Sequence, residues 1–261
     1  MDGREPIALT IAGSDPSGGA GIQADLKTFQ RFGVYGEAVV ATITVQNSTR
    51  VDRVESLAAE LVIDQIRAVL EDMPPAAAKT GALGSAEIVR AVALLAREFT
   101  FPLVVDPVFL STHGHPLVSV EAVRDELLPV AALVTPNLQE AAALSGMEVN
   151  DAASMRAAAE RIGALGAKAV LVKGGHLEGA ALDILYADGV FHEFTAGRID
   201  TRHTHGTGCA YSAAITAGLA QGLPLPEAVH RAKLWITEAI RTAPGIGHGA
   251  GPINHFAEVP L

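Results

Sequence analysis

The residues best placed to do chemistry are Thr204-His205-Gly206-Thr207-Gly208-Cys209, which run directly into small helix formers from Ala210 to Ala220. A glycine turn feeding a helix start leaves several backbone N–H groups unpaired and pointing the same way. Together with the positive end of the helix dipole, such donors hold an anion. Cys209 is the only cysteine in 261 residues. A helix N-terminus lowers the pKa of a thiol, so this position predicts an ionisable sulfur beside a bound anion, and hence chemistry on a phosphate. The same glycines also suit a turn that only packs a helix closely, so the signal needs support from the rest of the chain.

That support comes from the elements that must carry the turn. Apolar strand-like runs alternate with amphipathic helical ones throughout. Ile7 to Ala12 reads as a buried strand, followed by a helix opening at Gly18-Gly19-Ala20-Gly21 and ending near Gly33. Val39 to Val45 is strand-like, Leu57 to Met73 helical, and Pro74-Pro75 stops that helix. The pattern repeats with strands at Ala76–Thr80, Leu103–Val105, Leu133–Thr135 and Ala169–Lys173. Helices between them are predicted at Ser85–Phe99, Val120–Leu128, from Asn137, and at Asp151–Leu165. Leu182–Tyr186 and Val190–Phe194, split by Asp188-Gly189, read as a hairpin. Helices at Cys209–Gln221 and Leu225–Thr242 close the chain. This order implies a mainly parallel sheet covered by helices on both faces.

In such sheets ligands bind beyond the carboxyl ends of the strands. The residues there are Gly13-Ser14-Asp15, Gln46-Asn47, Lys79-Thr80-Gly81, Asp106, Thr135-Pro136-Asn137 and Lys173-Gly174-Gly175-His176. Asn137 followed three residues later by Glu140 is the pattern of a capping box, and a carboxylate so placed also suits water around Mg²⁺. Lys173 supplies a mobile positive charge for phosphate beside glycines that let a ligand approach the backbone. Asp106, at the end of an all-apolar strand, is placed to bind a metal. Neither a G-x-G-x-x-G fingerprint nor a G-x-x-x-x-G-K-[ST] loop is present, so any nucleotide is held differently.

Composition narrows the classes. Hydrophobic residues make up 49% and aromatics 5%, which suits buried strands under alanine-rich helices. Acidic residues outnumber basic ones, 29 to 19, and no Lys/Arg cluster offers a surface for nucleic acid. One cysteine forms no internal disulfide. No run approaches the roughly 20 apolar residues of a membrane span, and Met1 to Pro6 lacks the pattern of a secretion signal. The expectation is a soluble cytoplasmic protein.

The segment from Leu9 to Lys27, LTIAGSDPSGGAGIQADLK, closely resembles bacterial hydroxymethylpyrimidine/phosphomethylpyrimidine kinases of the ribokinase-like superfamily. The resemblance continues through Val45-Gln46-Asn47, TPNLQE at 135–140, VKGGHL at 172–177, THGTGC at 204–209 and GHGAGP at 247–252. It implies one domain over 1–261, a three-layer α/β/α sandwich with a mainly parallel central sheet. It also implies a transferase of thiamine biosynthesis. ATP and Mg²⁺ would phosphorylate 4-amino-5-hydroxymethyl-2-methylpyrimidine to its monophosphate and then to the pyrophosphate, in a homodimer. Matched position by position, Gly13, Asp25 and Gln46 bind the pyrimidine, with a backbone group of Thr44 at the ring. Asp106, Asn137, Glu140 and Lys173 surround Mg²⁺ and the ATP phosphates, with Asp106 and Glu140 at the metal. The amides of Gly206, Thr207, Gly208 and Cys209 form the anion hole, and Cys209 is the catalytic base.

Three positions depart from the family pattern. Ala82 stands where methionine is expected, and Thr112 and His115 stand where a flap carries lysine and aspartate. His113 and His115 read as solvated loop residues. Two other readings stay open on these residues: a vitamin B6 kinase that accepts a pyridine alcohol, and a pyrimidine-binding protein without transfer activity. A cysteine hydrolase using His205 lacks any residue fixing that histidine as a base.

Overall fold

The structure is a computed structural model that describes residues 5–109, 118–175 and 180–260. Apolar residues alternate along β1 (Ile7–Gly13), so that Leu9 and Ile11 face one core and Ala8 the other. The remaining strands are β2 (Tyr35–Asn47), β3 (Arg50–Ser56), β4 (Ala77–Thr80), β5 (Leu103–Val105), β6 (Leu133–Val134), β7 (Ala169–Gly174), β8 (Ala181–Ala187) and β9 (Val190–Ala196). Among the described residues they form one sheet in the order β3-β2-β1-β4-β5-β6-β7-β8-β9. The six strands β2-β1-β4-β5-β6-β7 are mutually parallel, and β3, β8 and β9 join antiparallel at the two edges.

Helices cover both faces. On one lie α2 (Ala59–Asp72), α3 (Ala86–Ala96), a helical segment at 120–130 (α4), α5 (Leu138–Ser145) and α6 (Ala152–Ala164). On the other lie α1 (Gly21–Arg31), α7 (Thr207–Ala220) and α8 (Leu225–Arg241). Helix α7 is nearly all small residues and is buried around its whole circumference, which lets it pass between the sheet and its neighbours α1 and α8. The implied three-layer sandwich is present. No helix among the described residues is long and apolar enough to cross a membrane.

Two elements differ from the sequence expectation. Strand β2 is thirteen residues long and pairs with β3, an edge strand of charged residues where none is expected. Its polarity suits an edge with one face in water, so it lacks the apolar signal of a buried strand. The expected helix at 120–128 is a single α turn (Val120–Ala122) followed by a π turn (Val123–Leu127) and a 3₁₀ turn (Leu128–Val130). Pro129, at the N-terminal side of the last turn, cannot donate to a continuing α ladder.

Candidate active site

The parallel strands all point their carboxyl ends at one cavity of about 1150 Å³. Residues from β1, β2, β7, the turn after β4 and the start of α7 reach it, as expected of this topology. At its centre stands the turn into α7. Gly206 caps the helix with φ +75°, a conformation that favours glycine, and a Cβ there would collide with the Gly19 carbonyl. The Thr207 N–H donates to the Thr204 carbonyl at 3.2 Å. The amides of Gly208 and Cys209 follow in the first turn, where the helix ladder has no acceptor for them.

Opposite these amides lie Lys173 and Asp106. A Cβ placed on Gly208 would sit 3.5 Å from Lys173 Nζ and 3.8 Å from Asp106 Oδ2, so a helix start, an ammonium and a carboxylate converge on one spot. Lys173 Nζ donates to Asp106 Oδ1 at 3.1 Å, and Thr135 Oγ1 donates to the same oxygen at 3.2 Å. Ser212 Oγ donates to Asp106 Oδ2 at 3.3 Å. Burial alone would raise the Asp106 carboxyl, but Lys173 and Lys79 outweigh it and hold the group below its ordinary range. The same carboxylates hold the Lys173 ammonium above its usual value against burial. Both groups therefore carry their charges at neutral pH.

Asn137 and Glu140 form the capping box read from the sequence: Glu140 N–H donates to Asn137 Oδ1 at 2.9 Å, and Asn137 N–H to Glu140 Oε2 at 2.8 Å. Burial pushes the Glu140 carboxyl up to about 7, with Lys173 pulling the other way. No cluster of three His, Cys, Asp or Glu side chains capable of holding a metal occurs among the described residues. Asp106 and Glu140 fit a hard cation that takes one or two carboxylates and completes its shell with phosphate and water oxygens.

The other side of the cavity is smaller in scale and less charged. Gly13, Thr42, Thr44, Gln46, Gly81 and Ala82 line it together with Cys209. Thr44 Oγ1 donates to the Ser14 carbonyl at 2.8 Å, which ties the end of β2 to the loop after β1. Val51 and Val54 of the unexpected strand β3 complete this wall. The loop after β1 is itself organised by Asp15, which accepts from Ser17 N–H, Ser17 Oγ, Gly19 N–H and Ala20 N–H and faces His205 Nε2 at 2.8 Å. Although burial opposes it, these bonds bring the Asp15 carboxyl down to about 2. His205 is thus fixed against Asp15 and stands as a tie between the two glycine turns.

Two sequence expectations are corrected. Asp25 does not line the cavity; it is fully buried behind its wall, with Lys79 Nζ on Oδ1 at 2.8 Å and Thr10 Oγ1 on Oδ2 at 2.7 Å. Its oxygens are committed to the protein interior, so it has no direct bond to offer a ring. The Cys209 thiol is not acidified. Burial pushes it up to about 12, and although Lys79 and a Gly21 N–H pull it down, Asp25 and Asp106 raise it further. Thr112, His113, His115 and His176 lie outside the described residues.

A model of the family described as phosphomethylpyrimidine kinase matches residues 15–254. The chain is 50% identical over 257 residues to the hydroxymethylpyrimidine/phosphomethylpyrimidine kinase of Rhizobium meliloti, covering 96% of this chain and 97% of that protein. This chain belongs to the phosphomethylpyrimidine kinase family. The Streptomyces coelicolor protein of the same name is 47% identical, covering 96% of this chain and 94% of its own length. Among solved structures, a phosphomethylpyrimidine kinase from Clostridium difficile aligns with TM-score 0.80 at 42% identity, over 90% of this chain and all of that one. An ADP complex of Bacillus subtilis pyridoxal kinase aligns with TM-score 0.90 at 38% identity, over 97% of this chain and 98% of that one. The family therefore shares its fold with a pyridoxal kinase.

Proposed function

We propose that this chain transfers the γ-phosphoryl group of ATP to the hydroxymethyl oxygen of 4-amino-5-hydroxymethyl-2-methylpyrimidine, and then phosphorylates the monophosphate to the pyrophosphate. The observation that carries this reading is the convergence of the α7 amides, Lys173 and Asp106 on one point of a cavity whose other wall is formed by Gly13, Thr44, Gln46 and Ala82. The pyrimidine lies on that wall, where the Gln46 carboxamide can both donate to a ring nitrogen and accept from the exocyclic amine. The nucleotide extends past Asn137 and Lys173 towards Gly197, Ile236 and Ile240, which line the far end. Asp106 and Glu140 would hold Mg²⁺, and the ion would supply charge neutralisation on the transferring phosphate.

The alcohol oxygen attacks the γ-phosphorus in line, forming one O–P bond as the bond to the β-phosphate oxygen breaks and ADP leaves. The alcohol proton passes to the Cys209 sulfur. The Gly208 and Cys209 amides receive the equatorial oxygens, and Lys173 offsets charge on the leaving side. Thiolate is scarce at neutral pH when the thiol titrates at about 12, but what forms is a strong base. We read the protein as a cytoplasmic homodimer with a single kinase domain.

Incubation with the pyrimidine alcohol and MgATP, with products resolved by mass, tests the reading. Mono- and diphosphate should form with the parent protein and neither with Cys209→Ala. Alcohol bound and unchanged, with no ADP formed, would instead mark a binding protein. The likeness to pyridoxal kinases and the small Ala82 side chain favour a second substrate, a pyridine alcohol, and kcat/KM for the two alcohols ranks them.

A further inference from the structure

Strand β4 reads Ala77-Ala78-Lys79-Thr80, and all four residues are buried. A lysine at 0% exposure in such a strand needs a partner to keep its charge. Asp25, across from it on α1, provides one at 2.8 Å, and Thr10 Oγ1 closes the pair from β1. Lys79 Nζ also reaches the backbone carbonyl of Cys209 at 3.4 Å, a carbonyl that accepts from Ser212 Oγ at 3.0 Å as well. Neither Lys79 nor Asp25 lines the cavity. Their ion pair stands directly behind the first turn of α7, on the side away from substrate.

The sign of charge alternates through the site, from Asp25 to Lys79, Asp106, Lys173 and Glu140, and each group feels its neighbour in that series. Salt bridges that only stitch β4 to α1 would not need this order. We propose that Lys79 is a positioning residue for the phosphoryl transfer: held by Asp25, its ammonium fixes the Cys209 carbonyl and stabilises the Cys209 thiolate that takes the alcohol proton, touching neither substrate. The proposal rests on the kinase reading above. The groups acting on the Cys209 sulfur are Lys79 from β4, Asp25 and the Gly21 N–H from α1, Asp106 beyond β5, and Lys173 from β7. Of the two lysines, Lys79 acts on it more strongly.

Because Cys209 is the sole cysteine, alkylation by iodoacetamide followed by mass reports this sulfur alone. The full chain is compared with Lys79→Gln, Asp25→Asn and the double variant. Lys79→Gln keeps a donor near the carbonyl but removes the charge, so alkylation at about pH 9 should slow roughly tenfold. Asp25→Asn leaves the ammonium unopposed and should speed it. Steady-state kcat for the pyrimidine alcohol should fall roughly 10- to 100-fold in Lys79→Gln, with both KM values within about twofold of the parent. The double variant carries no buried unpaired charge, so it should melt near the parent and still show the low kcat.

A purely structural pair would loosen the turn in either single variant, so alkylation would quicken in both. It would also leave kcat per folded molecule unchanged in the double variant. Either result overturns the proposal. Failure of the parent to phosphorylate the alcohol would remove the kinase reading instead, while the opposite shifts in alkylation would still assign the charge of Lys79 to Cys209.

Discussion

A thiol that titrates at about 12 imposes a definite pH dependence on any step in which it accepts a proton. Below that value the thiolate fraction falls about tenfold for each pH unit, so the chemical step should accelerate as pH rises from neutral towards about 9.5. Rapid-quench single turnovers with saturating MgATP and pyrimidine alcohol isolate that step from product release. The parent should show the rise, and Cys209→Ala a low, level profile. A level profile in the parent would take Cys209 out of the proton transfer and leave the amides and Lys173 as the catalytic groups. Asp106 and Lys173 are legible because topology sends strand ends to one cavity, and Glu140 and Cys209 because a capping box and a glycine turn each mark a helix start. Asp25 reads as a ring contact because its partner Lys79 is 54 residues away and nothing local announces the pair. The only hint is a lysine inside a short strand that begins with two alanines.

At the scale of elements, the site depends on two glycine turns packed face to face. Gly206 of the α7 turn leaves no room for a side chain beside the Gly19 carbonyl, and Gly19 itself lies against the His205 ring. Gly206→Ala must both hold a left-handed φ and push the β1–α1 loop away, a loss of about 2–4 kcal/mol. A melt lower by roughly 5–10 °C is expected, together with a kcat loss larger than the folded fraction explains, because the displaced amides no longer face the phosphate. Normal kcat in the folded fraction would mean that the turn packs the helix and does nothing more. Local chemistry makes such elements readable: the α5 capping box, and the β8–β9 hairpin turning at Asp188 and Gly189, both with positive φ, follow from a few adjacent residues. Strand β3 is not readable in that way. Its charged sequence gains its strand from pairing with β2, and Val51 and Val54 enter the cavity wall only through that pairing.

Over the whole molecule, two apolar cores on either side of one sheet leave little space for charge, and the charges that are buried are mostly paired, as in Lys79–Asp25, Lys173–Asp106 and Lys233–Asp183. Glu37 is the exception. It lies on β2 opposite Leu9 of β1, and both of its carboxyl oxygens are enclosed without a hydrogen-bond partner among the described residues. Burial, with Asp72 adding repulsion, pushes this carboxyl up from 4.5 to about 7. Between those values the folded chain keeps a proton that the unfolded chain releases, so stability falls as pH rises through the window and levels off above it. The shift would be worth more in a dry interior; after solvent screening, about 1–2 kcal/mol is expected. Glu140 titrates in the same window and contributes with the same sign, while Asp15, at about 2, acts only in stronger acid. The difference between Glu37→Gln and parent cancels both, because Glu140 and Asp15 are present in each protein. Urea unfolding at about pH 4.5 and pH 8 should show the variant gaining about 1–2 kcal/mol relative to the parent across that interval. A difference independent of pH would mean that water reaches Glu37 and that its carboxyl ionises in the folded chain as it does in the unfolded one.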